Sequence, residues 1–369
     1  DMRIVHLSGS AIPSRRANSI QVMRMCEAFG KNGHDVTLVG KRPESNPAED
    51  VYDYYGARKC FKLSLIPCRA VKGASILVLP ALYARLRRHD PNELLIYARD
   101  IYGASLAIRM GFRVIYEAHS SPCNQLIRHL ETNLFRKLRL LRLVAISQAL
   151  ADLYVARFDI ADRIIVCHDA AAVPRESSNG DLSWPPCRDT LQIGYTGHLY
   201  PGKGAEIIVE CARRLPQYDF HIIGGRDADI ARWRGLAPAN LRFHGFLKPA
   251  LLDQARERFD VLLLPAQRSV IVPHSHEDIA AYMSPLKLFE YMASRRAIIS
   301  SDLPVLREVL DERMAVLVPP EDTDQWVDAI KRCENRPYRS ALAEAAYNAF
   351  REHYTWEKRA ERVLSGVQW

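Results

Sequence analysis

Short apolar runs alternate with stretches of helical periodicity along the whole chain. Residues 3–8 (RIVHLS) are the first such run; a loop over 9–18 follows, then helical spacing over 19–31 through Ile20, Met23 and Phe29. Asn32-Gly33 closes that helix, and 35–40 (DVTLVG) supplies the next strand. More strands are predicted at 60–65, 94–98, 113–117, 144–146 and 163–167, with helices between them. Strand–helix–strand alternation of this kind implies a parallel sheet. Residues 174–190 (PRESSNGDLSWPPCRDT) have the Pro, Ser, Gly and Asn content of a linker. Beyond it the alternation restarts, with strands at 191–195, 219–223, 241–246, 261–265, 297–300 and 315–318 and helices at 205–215 and 323–333. The chain is therefore read as α/β, with two doubly wound, Rossmann-like domains at 1–173 and 191–350. Such folds bind ligands outside the carboxyl ends of their strands.

Two stretches of the second half carry candidate chemistry. Ser284-Pro285-Leu286-Lys287-Leu288-Phe289-Glu290-Tyr291-Met292-Ala293 predicts a helix with Ser284 as N-cap and Pro285 at its first position. The unpaired amides and partial positive charge of such an end attract phosphate. Lys287 and Glu290 share a face, so a cation and a carboxylate there could hold a phosphate and a pair of sugar hydroxyls. Gly197-His198-Leu199-Tyr200-Pro201-Gly202-Lys203-Gly204 follows a strand and opens a helix. Its glycines admit close approach of phosphate oxygens, and Lys203 adds a point charge. No Gly-Lys-Ser/Thr is present, so this is not a Walker A loop. The first βα loop has one glycine where a dinucleotide fingerprint needs three, which argues against NAD. Asp227-Ala228-Asp229 spells the Asp-x-Asp of metal-dependent transferases but is read as a polar loop past Gly224-Gly225. His274-Ser275-His276-Glu277 has ligand-like spacing and is read as a flexible loop. Neither a metal nor a cofactor is expected.

Charge changes the picture in one half only. The chain has 369 residues, 48% hydrophobic and 25% charged, as in a soluble two-domain protein, and its net charge is +8. Residues 1–172 hold 25 Lys and Arg against 16 Asp and Glu, whereas the remainder holds 26 against 27. Two segments, 72–88 with Arg85, Arg87 and Arg88 and 134–142 with Arg136, Lys137, Arg139 and Arg142, are read as amphipathic helices. Their basic faces are either solvated or a peripheral docking surface for an anionic membrane or polyanionic acceptor. Nucleic acid is not an expected partner. The 8 cysteines form no Cys-x-x-Cys pair, so reduced thiols are expected rather than zinc or disulfides. No apolar run reaches the length of a bilayer span, and the first residues carry no signal-peptide pattern. A cytoplasmic protein is expected, held at the inner face of the membrane if the basic faces dock.

Taken in order, Tyr97-Ala98-Arg99, Tyr116-Glu117-Ala118-His119, Ala145-Ile146-Ser147, His168-Asp169, Gly197…Lys203-Gly204, Gly224-Gly225, Ser284-Pro285-Leu286-Lys287…Glu290-Tyr291-Met292-Ala293 and Tyr354-Thr355-Trp356 resemble the retaining glycosyltransferases of family 4. The resemblance covers nearly the whole chain. It implies a GT-B fold, two Rossmann-like domains facing across a cleft, with a last helix at about 351–369 crossing back onto the first. It further implies a nucleoside-diphosphate sugar (UDP or GDP) in the second domain and a glycan or lipid-linked acceptor on the first. The activity would be metal-independent hexosyl transfer in bacterial surface polysaccharide or glycolipid synthesis. On this resemblance Glu290 binds the ribose and Lys203 the diphosphate, and His119 contacts the donor sugar. Gly197, His198, Gly204, Gly224, Ser284, Pro285, Leu286 and Lys287 complete the donor site, while Gly9, Ser10, Arg15, Arg16 and Arg99 form an acceptor or phosphate loop. Two positions depart from the family. Eight residues before Glu290 stands Tyr282 rather than a glutamate, so Tyr282, or nearby Glu277 and Asp278, is expected to recognise the sugar. His198 replaces an arginine, whose charge Arg268 or Arg15-Arg16 would supply. The rival readings are a GT-B sugar-nucleotide epimerase or hydrolase, and a non-catalytic nucleotide- or glycan-binding scaffold.

Overall fold

The computed structural model describes residues 2–43, 50–69, 74–122, 124–174, 182–185, 187–273 and 276–367. Residues 175–181 and 186 of the expected linker therefore lie outside the described residues, as do His274, Ser275 and the start of the 72–88 segment.

The chain forms two compact units, Asp1–Asp169 with Trp356–Trp369, and Ala170–Thr355. In the first, strands β1 (Arg3–Ala11), β2 (Asp35–Pro43), β3 (Lys62–Cys68), β4 (Leu95–Ala98), β5 (Arg113–Ala118), β6 (Leu140–Ala145) and β7 (Ile164–Val166) build one sheet in the order β3-β2-β1-β4-β5-β6-β7. Every pairing is parallel. In the second, β8 (Gln192–Thr196), β9 (Asp219–Ile223), β10 (Leu241–Gly245), β11 (Val261–Leu264), β12 (Ala297–Ser301) and β13 (Val316–Val318) run β10-β9-β8-β11-β12-β13, again all parallel. Both orders are doubly wound. Strand order reverses between β1 and β4 in one unit and between β8 and β11 in the other, and the loops leaving those strands are where a crevice opens. The strands are central and apolar on both faces, so β4, β8, β9 and β11 are buried along their whole length.

Several expectations need correction. The second unit begins at Ala170, before the expected linker, and ends at Thr355 rather than 350. The last helix, Trp356–Leu364, follows a separate helix, Arg336–His353. Residues 134–142 are not a helix. Helix Gln125–Phe135 ends there and β6 begins at Leu140, a short and mostly apolar run whose Leu140, Leu143, Val144 and Ala145 are buried as in a strand covered on both faces. Leu140 and Leu143 are buried in the sheet, while Arg142 donates from Nη1 to the carbonyl of Val363, 2.7 Å away. Within 72–88 the described helices are two short ones, Ala74–Leu77 and Leu79–Leu86. Asp227-Ala228-Asp229 is no loop but the first turn of helix Asp227–Arg234, where acidic residues suit the helix dipole.

The last helix is fastened to the first unit by polar groups as well as apolar ones. Trp356, Ala360, Val363 and Leu364 are buried, and outside them Glu357 meets Lys31 Nζ at 2.8 Å. Arg359 enters the interior, donating to Glu117 Oε2 (2.9 Å), His168 O (2.9 Å) and Cys167 O (3.2 Å).

A second buried carboxyl lies beneath the loop that follows β5. Glu131 Oε1 accepts from Tyr154 Oη (2.6 Å) and Tyr116 Oη (3.3 Å), while Oε2 has no hydrogen-bond partner among the described residues. Burial pushes its pKa up to about 7, against the pull of the two tyrosines. An unfolded glutamate loses its proton near 4.5, so the folded state binds the extra proton and stability falls between that pH and 7. Glu131→Gln removes this slope. Unfolding midpoints measured from pH 4.5 to 8 should show the variant gaining about 3 kcal/mol on the wild type across the range. Parallel curves would mean that Glu131 titrates normally.

Candidate active site

In the second unit the switch between β8 and β11 gathers the predicted cations. The chain leaves β8 at Thr196 and turns through Gly197 (φ 140°) to Gly204 (φ 80°), which caps helix Ala205–Arg214. Both positions need glycine for φ, and Gly204 needs it for space as well. A Cβ at Gly204 would stand 2.0 Å from the Pro265 carbonyl oxygen, and one at Gly197 2.4 Å from Lys287 Nζ. Gly224 sits against the Gly197 backbone in turn, so the loops after β8 and β9 interlock.

Lys287 therefore lies directly beneath this loop. Its Nζ donates to Tyr195 Oη (2.8 Å), which donates to His198 O (2.6 Å), and it stands 4.0 Å from the centre of the same ring. Lys203 Nζ lies over Tyr200, 4.9 Å from its centroid. Among the described residues neither lysine makes a salt bridge to a carboxylate. Burial lowers Lys203 to about 8. Burial, then the charge of Lys203, holds Lys287 well below the usual lysine range. Burial, then Lys287, Lys203 and Arg226, pushes His198 down to about 4, which leaves it neutral. Two desolvated lysines thus share one neighbourhood, with the Glu290 charge acting on Lys287 but no carboxylate in salt-bridge contact with either among the described residues.

The helix expected to begin at Ser284 begins one residue later. Pro285, extended at φ −75° and ψ 123°, is the N-cap, and its carbonyl accepts the Leu288 amide at 3.0 Å. Ser284 is thus not the cap, because an extended proline cannot be the first helical residue. Glu290, in the second turn of this helix, is one-fifth exposed and pairs through Oε2 with Arg256 Nη2 at 2.5 Å. Arg256 is buried and also meets Asp253 at 2.8 Å. Glu290 thus does not point into a hydrophobic interior.

Other predicted residues are held apart from this cluster. Tyr282 is buried and its hydroxyl bonds Glu277. Asp278 accepts the amides of Val270 (2.9 Å) and Ala280 (3.0 Å), a turn-stabilising role. Arg268 is exposed and pairs with Glu321 at 3.1 Å.

In the first unit β1 runs on through Gly9 and Ser10 to Ala11, which pairs with Lys41, so these two residues end a strand instead of opening a loop. Arg15 and Arg16 are exposed just before helix Ala17–Lys31. Arg99 follows β4; burial lowers it to about 10, and it donates from Nη1 to Gln21 Oε1 at 2.7 Å. Gln21 Nε2 donates to Glu117 Oε1 (2.6 Å), which is also hydrogen-bonded to His119 Nε2. Arg99 and His119 are therefore brought together, through two residues to which no site role was given. Lys41, whose Nζ donates to Ser75 Oγ at 3.0 Å near Gly9, was also missed. So were Arg256 and Arg359, whose partners Glu290 and Glu117 are far away in sequence and leave no local pattern.

Two family matches tile this arrangement: Glycosyltransferase Family 4 over residues 19–170, and Glycosyl transferases group 1 over 190–335. The chain is a family 4 glycosyltransferase. Among curated proteins this glycosyltransferase is 24% identical over 149 residues to TuaH of Bacillus subtilis (strain 168), named for teichuronic acid biosynthesis. The match takes in 40% of this chain and only 35% of that relative's length. Among solved structures, sucrose-phosphate synthase from Thermosynechococcus elongatus superposes with a TM-score of 0.74 at 17% identity, covering 98% of this chain and 97% of the other. Anabaena Alr3699/HepE in complex with UDP and glucose gives 0.68 at 14%, covering 98% of each. A variant of S. aureus TarM in complex with fondaparinux, alpha-GlcNAc-glycerol and UDP gives 0.72 at 10%, covering 99% of each. At these identities the likeness concerns the fold, which is GT-B.

The lysine cluster of the glycosyltransferase yields a test of stability against binding. Lys287→Met removes a buried charge that makes no salt bridge among the described residues and should stabilise the ligand-free protein by about 1–2 kcal/mol in denaturant unfolding. It should also abolish the thermal shift given by nucleoside diphosphates. A destabilised variant that still binds them would contradict this account of the lysine.

Proposed function

We propose that this glycosyltransferase is a retaining, metal-independent enzyme that moves a hexose-type sugar from a nucleoside-diphosphate sugar to a glycan or lipid-linked acceptor. The observation that carries the reading is the pair Lys203 and Lys287, desolvated side by side at the β8/β11 switch beside a helix start. A leaving diphosphate needs its developing charge neutralised by preorganised groups, and two lysines with helix amides supply that. Glu290, its Oε2 held by Arg256, has Oε1 to accept the ribose hydroxyls. His119 contacts the donor sugar. The departing phosphate oxygen takes the proton of the acceptor hydroxyl as the glycosidic bond changes partner, so no separate base is required. UDP is the favoured nucleotide, because two structurally similar proteins hold it.

The acceptor is proposed to be anionic or lipid-linked, in surface polysaccharide or glycolipid synthesis. Its supports are the basic excess of the first half and the likeness to a teichuronic acid protein. Peripheral contact with the inner face of an anionic membrane is part of the proposal. Leu138 is 96% exposed between Lys137 and Arg139, and Leu77 is 67% exposed on the short helix preceding Arg85, Arg87 and Arg88. Apolar tips among cations suit a charged lipid surface.

A thermal-shift panel of UDP- and GDP-sugars should single out one donor. With that donor, Glu290→Ala should raise KM about tenfold or more through loss of charge-assisted bonds, and His119→Ala should lower kcat about a hundredfold. Turnover of donor with no acceptor present would favour an epimerase or hydrolase, and binding without turnover a scaffold. In flotation assays the protein should rise with vesicles containing phosphatidylglycerol and not with neutral ones; equal absence from both removes the membrane contact.

A further inference from the structure

The hydrogen bonds that end on His119 allow one direction only. Arg99 has donors and no acceptor, so the Gln21 oxygen it meets at 2.7 Å fixes which way that amide points. Gln21 must then donate from Nε2, and it does so to Glu117 Oε1 at 2.6 Å. The other carboxylate oxygen, Oε2, is taken by Arg359 Nη1 at 2.9 Å, and the Glu117 side chain is wholly buried. Burial pushes the Glu117 carboxyl up, but Arg359 and His119 outweigh it and hold the group ionised, well below the carboxylate range. An ionised carboxylate only accepts, so the His119 nitrogen that meets it, Nε2, carries the proton. Burial and Arg99 lower the His119 pKa against the pull of Glu117, so the ring is neutral near pH 7 and Nδ1 has a lone pair and no proton.

We propose that Glu117 is the positioning residue that locks His119 as its Nε2–H tautomer, so that Nδ1 accepts a hydrogen bond from a hydroxyl of the donor sugar and repels a carboxylate at the same place. The inference rests on the reading that His119 contacts the donor sugar. It makes the enzyme selective for neutral hexoses over the matching uronic acids, since a hydroxyl can donate to Nδ1 and an ionised carboxylate cannot. Arg359 and Gln21 act through Glu117 by holding both of its oxygens.

The test is carried out on the full chain with 15N-labelled imidazoles, the His119 signals being assigned by their loss in His119→Asn. At pH 7.5 the wild type should show one proton, on Nε2. In Glu117→Gln, whose amide can donate as well as accept, the tautomers should mix. With the active hexose donor, UDP-glucose being tried first, kcat should fall about tenfold with little change in KM, the size expected for one hydrogen bond. The preference for UDP-glucose over UDP-glucuronate should narrow by a similar factor. A wild-type proton on Nδ1 or on both nitrogens overturns the proposal whether or not the variant folds. So does a variant with unchanged spectrum and unchanged kcat. If the tautomer is as stated but His119→Ala turns over donor like the wild type, the sugar contact is what fails, and with it the selectivity.

Discussion

Arg359 and Glu117 meet inside the first unit with 2% and 0% of their side chains exposed, and the rest of that unit depends on the pair. Taking two charges out of water costs several kcal/mol each, and mutual attraction compensates only where other hydrogen bonds satisfy what remains. Here they do. The guanidinium also reaches two main-chain carbonyls at the end of β7, and the carboxylate also takes Gln21 and His119. Losing either partner would leave the other buried and uncompensated, a loss of about 3–5 kcal/mol in comparable cases. The helix at the end of the chain is therefore as much a part of this unit as the strand that begins it. The ion pair that docks it also orients a site residue.

The second unit presents the opposite electrostatics. Arg256 is buried with carboxylates on two sides, Asp253 and Glu290, whereas Lys203 and Lys287 are desolvated near each other and, among the described residues, make no salt bridge to a carboxylate. One arrangement is complete in itself and fixes a carboxylate oxygen. The other lowers both lysines and opposes folding. Sites that sacrifice stability in this way are where local rules give way to function. Gly197 packs directly over Lys287, so the loop comes close to its ammonium.

Much of this architecture was legible in the chain. β9 lies at its expected residues and most other strands within one or two, because buried parallel strands are short, uniformly apolar and bounded by glycine or charge. The misreading at 134–142 came from taking leucines and arginines as the two faces of one helix, when the stretch holds a helix end, a turn and the start of a strand buried on both faces. The Asp227–Asp229 stretch was misplaced because acidic residues after glycine suit a loop and a helix start equally well. Tyr282 was singled out by spacing from Glu290 alone, and spacing does not say that its hydroxyl is engaged by Glu277.

The sequence by itself determined the two α/β units, the glycine loop with Lys203 and the helix bearing Lys287 and Glu290, since each is encoded in a few adjacent residues. Tertiary structure alone decided which charges are paired. Arg359 lies 242 residues from Glu117 and Arg256 34 from Glu290, and no periodicity spans such gaps. Desolvation, too, belongs to the folded state: only packing made Lys287 a strained cation and His119 a one-way acceptor.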